Sequence, residues 1–240
     1  MGHVLESPKR PLEGGRIVEW EPGDAARYRL YHCDPQTPDA LHRRRWGPLH
    51  RFDHHIPHSS GAAQECPLGR TVTYLGEDRK TAGAEVFWDA GNTARVCPRH
   101  CLAQLRPLAT VRLLDLTEDG TDEIGALPVL CTGDSTDSDL TQEWARAIYE
   151  DLDVDGIYYP GAHQLGVCTV LFERSAEIEL VVDDGVPVDV PLQDDRVWDR
   201  FHSDYMLSSR RRVVPIASDG CPRCNKLGLA PRESRIAPTS

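Results

Sequence analysis

The sequence has few lysines and no long apolar run, and each absence excludes a class of protein. Of its 27 basic residues only Lys9, Lys80 and Lys226 are lysines, so 24 are arginines. The 38 acidic residues give a net charge of -11, which argues against direct nucleic-acid binding. Since no run of about 18 apolar residues and no signal-peptide pattern is present, we expect a cytoplasmic protein without a membrane span.

Two nucleotide-binding motifs are also missing. The absence of Gly-x-Gly-x-x-Gly and of Gly-x-x-x-x-Gly-Lys-Ser/Thr argues against a Rossmann dehydrogenase and a P-loop enzyme. A length of 240 residues suffices for one main domain with extensions. We predict a flexible N-terminal arm over residues 1–25 and a main domain over 26–180. A C-terminal extension over 181–240 would contain a hairpin, a helix and a cysteine-containing tail.

The most informative segment runs from Gly69 to Glu85 and predicts a strand, a turn and a helix. Val72 and Tyr74 favour a strand, residues 76–78 break it, and residues 81–88 carry apolar side chains at helical density. Each regular element therefore carries one polar candidate, Tyr74 on the strand and Glu85 on the helix. Taken alone, the pattern also fits a core tyrosine and a glutamate on a solvated helix face.

Further elements follow from periodicity. Strands are predicted over 16–20, 27–31, 111–116, 157–159 and 168–172, and a hairpin turn at 183–185. Trp144, Ala145 and Ile148 predict an amphipathic helix over 141–152. Val197, Phe201 and Tyr205 recur every fourth residue and predict a last helix over 195–207.

Several of these segments together resemble the RES-domain family. They are Arg51-Phe52-Asp53, the Gly69 to Glu85 segment, Val111 to Leu116, Val154 to Pro160 and Cys168 to Phe172. Their order and most of their spacings match the family from about Tyr28 to Phe172. The resemblance implies an α+β fold similar to ADP-ribosyltransferases, with a mixed, split β-sheet and flanking helices.

The resemblance also implies a chemistry, cleavage of the bond between nicotinamide and ribose in NAD by hydrolysis or phosphorolysis. NAD would then be a substrate. Glu85 matches the carboxylate that would stabilise the positive charge developing on the ribose. Tyr74 would offer a ring on which nicotinamide can stack and a hydroxyl that can orient the substrate. Arg29 and Arg51 match the arginines that would bind the pyrophosphate. We expect Glu85, Tyr74 and Arg51 to be catalytic.

One position departs from the family pattern. The serine expected after Tyr159-Pro160 is replaced by Gly161. The missing contact to NAD would have to come from the Gly161 backbone N–H or from His163. Two alternatives to an enzyme therefore stay open, a relative that binds NAD or ADP-ribose without turnover and a structural interaction protein.

The family resemblance further implies partners. A RES-like toxin would pair with an antitoxin that carries a helix-turn-helix domain, and a homodimer is left open.

Histidines and cysteines form two further patterns. His50, His54, His55 and His58 lie in an inserted loop, where polar residues beside a phosphate-binding cleft are favoured over a metal site. The eight cysteines suggest reduced thiols or a metal site in a cytoplasmic chain. Two half-sites, Cys97 with Cys101 and Cys221 with Cys224, could together bind a structural zinc. Reduced thiols are the alternative.

Overall fold

The computed structural model describes residues 5–87, 92–132, 138–161, 165–183, 186–234 and 236, and the chain forms two compact units. Unit 1 comprises Met1–Asp24, Arg43–Tyr74 and Pro107–Ile178. Unit 2 comprises Ala25–His42, Leu75–Arg106 and Glu179–Ser240. Each unit is therefore assembled from three separate segments of the chain.

The described residues contain short strands and a few helices. The strands are β1 (Ile17–Trp20), β2 (Arg27–His32), β3 (Trp46–Gly47), β4 (Gln64–Glu65), β5 (Val72–Gly76), β6 (Thr93–Val96), β7 (His100–Pro107), β8 (Val111–Asp115), β9 (Gly156–Pro160), β10 (Val167–Phe172), β11 (Ile178–Leu180), β12 (Val182–Asp183), β13 (Val186–Pro187), β14 (Asp189–Pro191) and β15 (Arg212–Pro215). The helices are α1 (Arg79–Phe87), α2 (Gly120–Glu123), α3 (Val129–Thr132), α4 (Ser138–Asp151), α5 (Asp195–Ser209) and α6 (Pro222–Lys226). None of these helices is both long and apolar enough to cross a bilayer.

Unit 1 contains a mixed sheet with the strand order β1-β8-β9-β10-β5. The pairs β1–β8 and β9–β10 are antiparallel, whereas β8 and β9 are parallel. Helix α4 packs its apolar face on this unit's core, with Trp144, Ala145 and Ile148 buried. The predicted helix over 141–152 is thus confirmed and begins three residues earlier.

The N-terminal segment differs from the flexible arm that its composition predicts. Leu5 and Leu12 belong to the core of unit 1, and Trp20 on β1 is also buried. The Arg10 guanidinium pairs with Glu150 and Asp151 at the end of α4. Three apolar anchors spaced along the segment outweigh its many Pro, Gly and charged residues.

Residues 72–74 of β5 belong to unit 1 and residues 75–76 to unit 2. Unit 2 contains this end of β5, β2 and β7 as neighbours, with β11 and β14 also along β7. Strand β2 is antiparallel to both β5 and β7. Strands β12 and β13 pair antiparallel on either side of the predicted turn, whose residues 184 and 185 lie outside the described ranges. Helix α5 extends over the predicted range and begins with the Asp194 carboxylate, which accepts from the Arg196 N–H at 3.1 Å.

Helices α1 and α5 approach each other closely within unit 2, at Gly83. A Cβ atom at this position would lie 2.8 Å from a ring carbon of Phe201 and 2.9 Å from one of Tyr205. Both rings are fully buried. Glycine is therefore required here by the packing of the two helices.

Candidate functional site

The Asp53 carboxylate organises the Tyr74 side of the candidate site in unit 1. It is completely buried and accepts hydrogen bonds from the Tyr74 hydroxyl at 2.8 Å and from the Arg44 guanidinium at 2.5 Å. The backbone N–H groups of Leu49 and His50 donate to its second oxygen at 2.6 and 3.1 Å. Burial alone would raise the pKa of Asp53, but the charge and hydrogen bond of Arg44 hold it at about 2.

These contacts determine what Tyr74 offers to a ligand. Its hydroxyl donates to Asp53 and accepts from the Phe52 N–H at 3.2 Å. Burial, followed by the charge of Asp53, raises the pKa of the Tyr74 phenol well above its ordinary value. The hydroxyl is therefore a neutral structural group, and the partly buried ring is the part of Tyr74 left to contact a substrate.

Arg51 lies in the turn that Asp53 closes. The next residue, Phe52, is fully buried with its ring centroid 4.6 Å from that of Tyr159 on β9. Arg51 is only partly buried. Burial raises the pKa of the nearby Cys131 thiol to about 12, and the positive charge of Arg51 opposes that rise. Phe52 therefore fixes the turn against β9, and its N–H joins the turn to the Tyr74 hydroxyl.

Gly161 follows β9 directly, where the family serine is expected. Its N–H donates to the Gly166 carbonyl at 2.9 Å and so extends the pairing of β9 with β10. That hydrogen bond engages the backbone group that was expected to replace the serine contact. His163, the other replacement expected from the sequence, lies outside the described residues.

Glu85 lies on α1 in unit 2 and is exposed. Residues 81–84 and Phe87 are buried, so Glu85 and Val86 form the outward edge of the helix. The helix begins where the Asp78 carboxylate accepts from the Thr81 N–H at 2.8 Å. The predicted strand, turn and helix are confirmed, and the carboxylate is accessible to solvent.

Arg29 is buried in β2, also in unit 2, and its guanidinium contacts backbone carbonyls. One terminal nitrogen of its guanidinium donates to the carbonyl of Ala40 and, at 2.8 Å, to that of His42. The guanidinium also lies 5.4 Å from the centre of the Tyr31 ring. These contacts hold the loop after β2, a role that the sequence pattern does not indicate.

Two histidines of the inserted loop are core residues of unit 1 rather than polar loop residues. His54 and His55 are both completely buried, and His54 Nε2 lies 2.8 Å from a Glu173 carboxylate oxygen. The His54 ring packs against both Tyr149 and Phe172, whose rings also contact each other. Burial lowers the pKa of both histidines, for His55 to about 4. No regular spacing of apolar residues surrounds His54 and His55 in the sequence, so their burial could not be predicted from it.

The structure brings together three of the four predicted metal-binding cysteines, all in unit 2. Cys97, Cys221 and Cys224 converge with His32, which the sequence analysis did not single out. Cys101 is not part of this group. It is paired with Tyr31 in the β2–β7 register, whereas His32 is paired with His100. Because adjacent strand residues alternate between faces, Cys101 points away from the face that carries His32.

A protein-family comparison finds the model described as RES domain over residues 19–195, well over half of the chain. The chain belongs to the RES domain family. All described candidate residues for NAD fall within the matched range, namely Arg29, Arg51, Tyr74, Glu85 and Gly161. The RES match ends before Cys221 and Cys224.

Among solved structures, the RES-domain chain is similar to one titled the crystal structure of the M. tuberculosis MbcT-MbcA toxin-antitoxin complex. The TM-score is 0.51 at 19% sequence identity, with 79% of this chain and 91% of that chain covered. This likeness shows the fold, so the predicted α+β class with a mixed sheet and flanking helices is confirmed. A comparison with curated protein sequences gives no significant match.

Two residues of the candidate sites were missed at the sequence level, each for a physical reason. Asp53 is the last residue of the Arg51-Phe52-Asp53 segment. A carboxylate directly after an Arg-aromatic pair was the signal that could have marked it as a site residue. His32 ends a strand 65 positions before Cys97. The pairing of β2 with β7 places His32 opposite His100, three residues after Cys97, and α6 brings Cys221 and Cys224 to it.

Proposed function

We propose that this RES-domain protein cleaves NAD at the bond between nicotinamide and ribose. The observation that carries the proposal is the RES match over residues 19–195, which includes Arg29, Arg51, Tyr74, Glu85 and Gly161. In unit 1 the residue after Arg51, Phe52, donates its N–H to the Tyr74 hydroxyl, and in unit 2 the Glu85 side chain is exposed on α1.

The proposed reaction breaks the C1′–N bond of the nicotinamide riboside. Nicotinamide leaves with the bonding electron pair, which neutralises its ring nitrogen. In hydrolysis the oxygen of water bonds to C1′ and releases one proton, giving ADP-ribose. In phosphorolysis a phosphate oxygen bonds to C1′ instead. Both routes pass through a ribose with oxocarbenium character, so a fixed negative charge nearby lowers the barrier.

Glu85 is assigned the role of that negative charge. Arg51 is assigned the pyrophosphate, because a guanidinium binds phosphate oxygens while keeping its charge. Tyr74 offers its ring face to nicotinamide, since its hydroxyl is engaged by Asp53. Arg29 is a positioning residue in this scheme, because its guanidinium supports the backbone at Ala40 and His42.

The direct test is to incubate the purified full chain with NAD and follow nicotinamide by chromatography, with and without phosphate. Release of nicotinamide together with ADP-ribose indicates hydrolysis, and a phosphate-dependent phosphorylated product indicates phosphorolysis. The absence of release at high protein concentration contradicts the catalytic proposal.

Calorimetry with ADP-ribose separates the two alternatives that remain in that case. Heat of binding without turnover supports a protein that binds NAD or ADP-ribose, the outcome favoured by the replacement of the family serine with Gly161. The absence of both turnover and heat supports a structural interaction protein.

We further propose that the protein is the toxin of a toxin–antitoxin pair. The solved structure reported above is of such a complex, and its likeness in fold supports this assignment. Induced expression should arrest growth and lower cellular NAD. Co-expression of a neighbouring open reading frame with a helix-turn-helix domain should restore growth. Growth arrest with unchanged NAD would contradict the link between toxicity and NAD cleavage.

A further inference from the structure

Four side chains that bind metals converge at one buried point in unit 2, and they come from three separate segments. His32 ends β2, Cys97 lies between β6 and β7, Cys221 directly precedes α6, and Cys224 lies in its first turn. All four residues are buried. The convergence therefore depends on the folded structure and not on one local motif.

The distances among the four side chains are short. His32 Nε2 lies 3.3 Å from Cys224 Sγ and 3.9 Å from Cys221 Sγ, and Cys97 Sγ lies 3.9 Å from Cys224 Sγ. All four ligand atoms lie within 4.8 Å of one another. For a tetrahedral zinc site, Zn–S and Zn–N bond lengths imply ligand separations of about 3.5–3.8 Å. The group is therefore close to the size that one zinc ion requires.

The His32 ring is oriented as a metal ligand usually is. Its Nδ1 lies 3.2 Å from an Asp34 carboxylate oxygen, so Nε2 is the nitrogen that points at the sulfur atoms. Arg223, between the two cysteines of the tail, donates to the same oxygen at 2.9 and 2.7 Å. A carboxylate on the far nitrogen of a liganding histidine fixes its tautomer and strengthens its bond to the metal.

We propose that His32, Cys97, Cys221 and Cys224 bind a structural zinc ion. Three thiolates and one imidazole form a common zinc set, and thiolates favour zinc over hard cations such as Mg²⁺. Four protein ligands leave no position for a substrate or water, so the site is structural and takes no part in the NAD chemistry.

The site would have a specific mechanical role within unit 2. His32 and Cys97 lie inside the RES match, whereas Cys221 and Cys224 lie beyond its end at residue 195. A shared zinc ion would fix the C-terminal tail onto the end of β2 and the β6–β7 turn. This inference stands independently of whether the protein cleaves NAD.

The test is metal analysis of the purified full chain by mass spectrometry. We expect about one zinc per chain in the wild type and at least a tenfold loss in His32→Ala and in Cys224→Ser. Cys101→Ser is the matched control, because Cys101 completes the sequence-based set but is directed away from the group. It should keep full zinc. Zinc retained by His32→Ala and lost in Cys101→Ser would overturn the assignment of His32.

A second measurement on the wild type covers the case in which the variants do not fold. Exchange of zinc for Co²⁺ should give the visible absorption of a tetrahedral cobalt site and the near-ultraviolet bands of thiolate-to-cobalt charge transfer. Removal of the metal by a chelator should lower the melting temperature. Metal-free protein that takes up neither ion overturns the proposal, and a thiol count under denaturing conditions then tells reduced cysteines from a disulfide.

Discussion

At the residue scale, the fully buried Asp53 connects the Arg51 turn to Tyr74. Its two carboxylate oxygens accept from Tyr74, Arg44 and two backbone N–H groups. The family-like Arg-Phe-Asp segment thus contains, beside the arginine proposed to bind phosphate, the carboxylate that holds Arg44 and Tyr74 in place. Because Asp53 engages the Tyr74 hydroxyl, the structural role of the hydroxyl is separate from the contact that the ring would make with nicotinamide.

That separation gives a prediction for Tyr74. Tyr74→Phe removes the hydrogen bonds to Asp53 and Phe52 but keeps the ring, so stability should fall by about 1–2 kcal/mol. The kcat/KM for NAD should change by less than about tenfold. Tyr74→Ala removes the ring as well and should raise KM. Urea unfolding and steady-state kinetics measure the two effects. A Tyr74→Phe variant of unchanged stability that has lost its turnover would show instead that the hydroxyl acts on the substrate.

Glu85 gives a second residue-scale prediction. Glu85→Gln keeps the size of the side chain and removes its charge, so kcat should fall by about 10²–10³-fold while the Kd for NAD changes little. The cationic transition state loses its counter-charge, whereas the ground state loses little. Single-turnover kinetics measures the loss of rate, and calorimetry measures the Kd for NAD.

The matched control is Glu123→Gln on α2, which neutralises another exposed helical glutamate. It should leave kcat unchanged. Equal losses in both variants would point to an effect of net charge, and wild-type kinetics in Glu85→Gln would show that the catalytic carboxylate is elsewhere.

At the scale of elements, α1 carries Glu85 and is positioned by its contact with α5. Gly83→Ala should destabilise the protein by about 1–2 kcal/mol, because the added Cβ meets two buried rings and this outweighs the higher helix propensity of alanine. Thermal unfolding measures the loss. NAD turnover should fall with it, since a shift of α1 moves Glu85.

Gly23→Ala serves as the control, because its Cβ would meet nothing within 4 Å. It should be neutral or slightly stabilising. A Gly83→Ala variant as stable as the wild type would mean that α1 and α5 can separate at little cost.

Helices α4 and α5 were predictable from the sequence because one face of each is apolar. Trp144 and Ile148 in α4, and Phe201 and Tyr205 in α5, recur at helical spacing and are buried as that spacing indicates. The N-terminal segment has no such period. Leu5 and Leu12 are isolated apolar residues among Pro, Gly and charge, so their burial depends on tertiary contacts that composition does not encode.

At the scale of the whole molecule, each unit is built from three segments that are distant in the chain. Motif order could therefore identify the family but not the neighbours of each motif residue. The sequence predicted Cys221 and Cys224 as one half-site, because local spacing carries that signal. It could not predict His32 as a ligand, because only strand pairing supplies it.

Buried histidines also make the stability of the protein depend on pH. Burial lowers the pKa of His54 and holds that of His55 at about 4, below the ordinary value of about 6.5 that applies in the unfolded chain. The unfolded state therefore binds more protons, and stability falls as the pH drops below about 6.5. For His55 the loss continues to about pH 4 and should reach about 1–2 kcal/mol at pH 5.

Urea unfolding at pH 7.5 and pH 5 tests this dependence. His55→Phe keeps a buried ring without a titratable group, so the difference in unfolding free energy between the two pH values should shrink by that amount. His58→Phe replaces an exposed histidine of the same loop and should keep the wild-type difference. If both variants lose the same part of the pH dependence, the cause is the charge of the loop and not the buried ring. If neither variant loses any of the pH dependence, His55 is protonated in the folded protein.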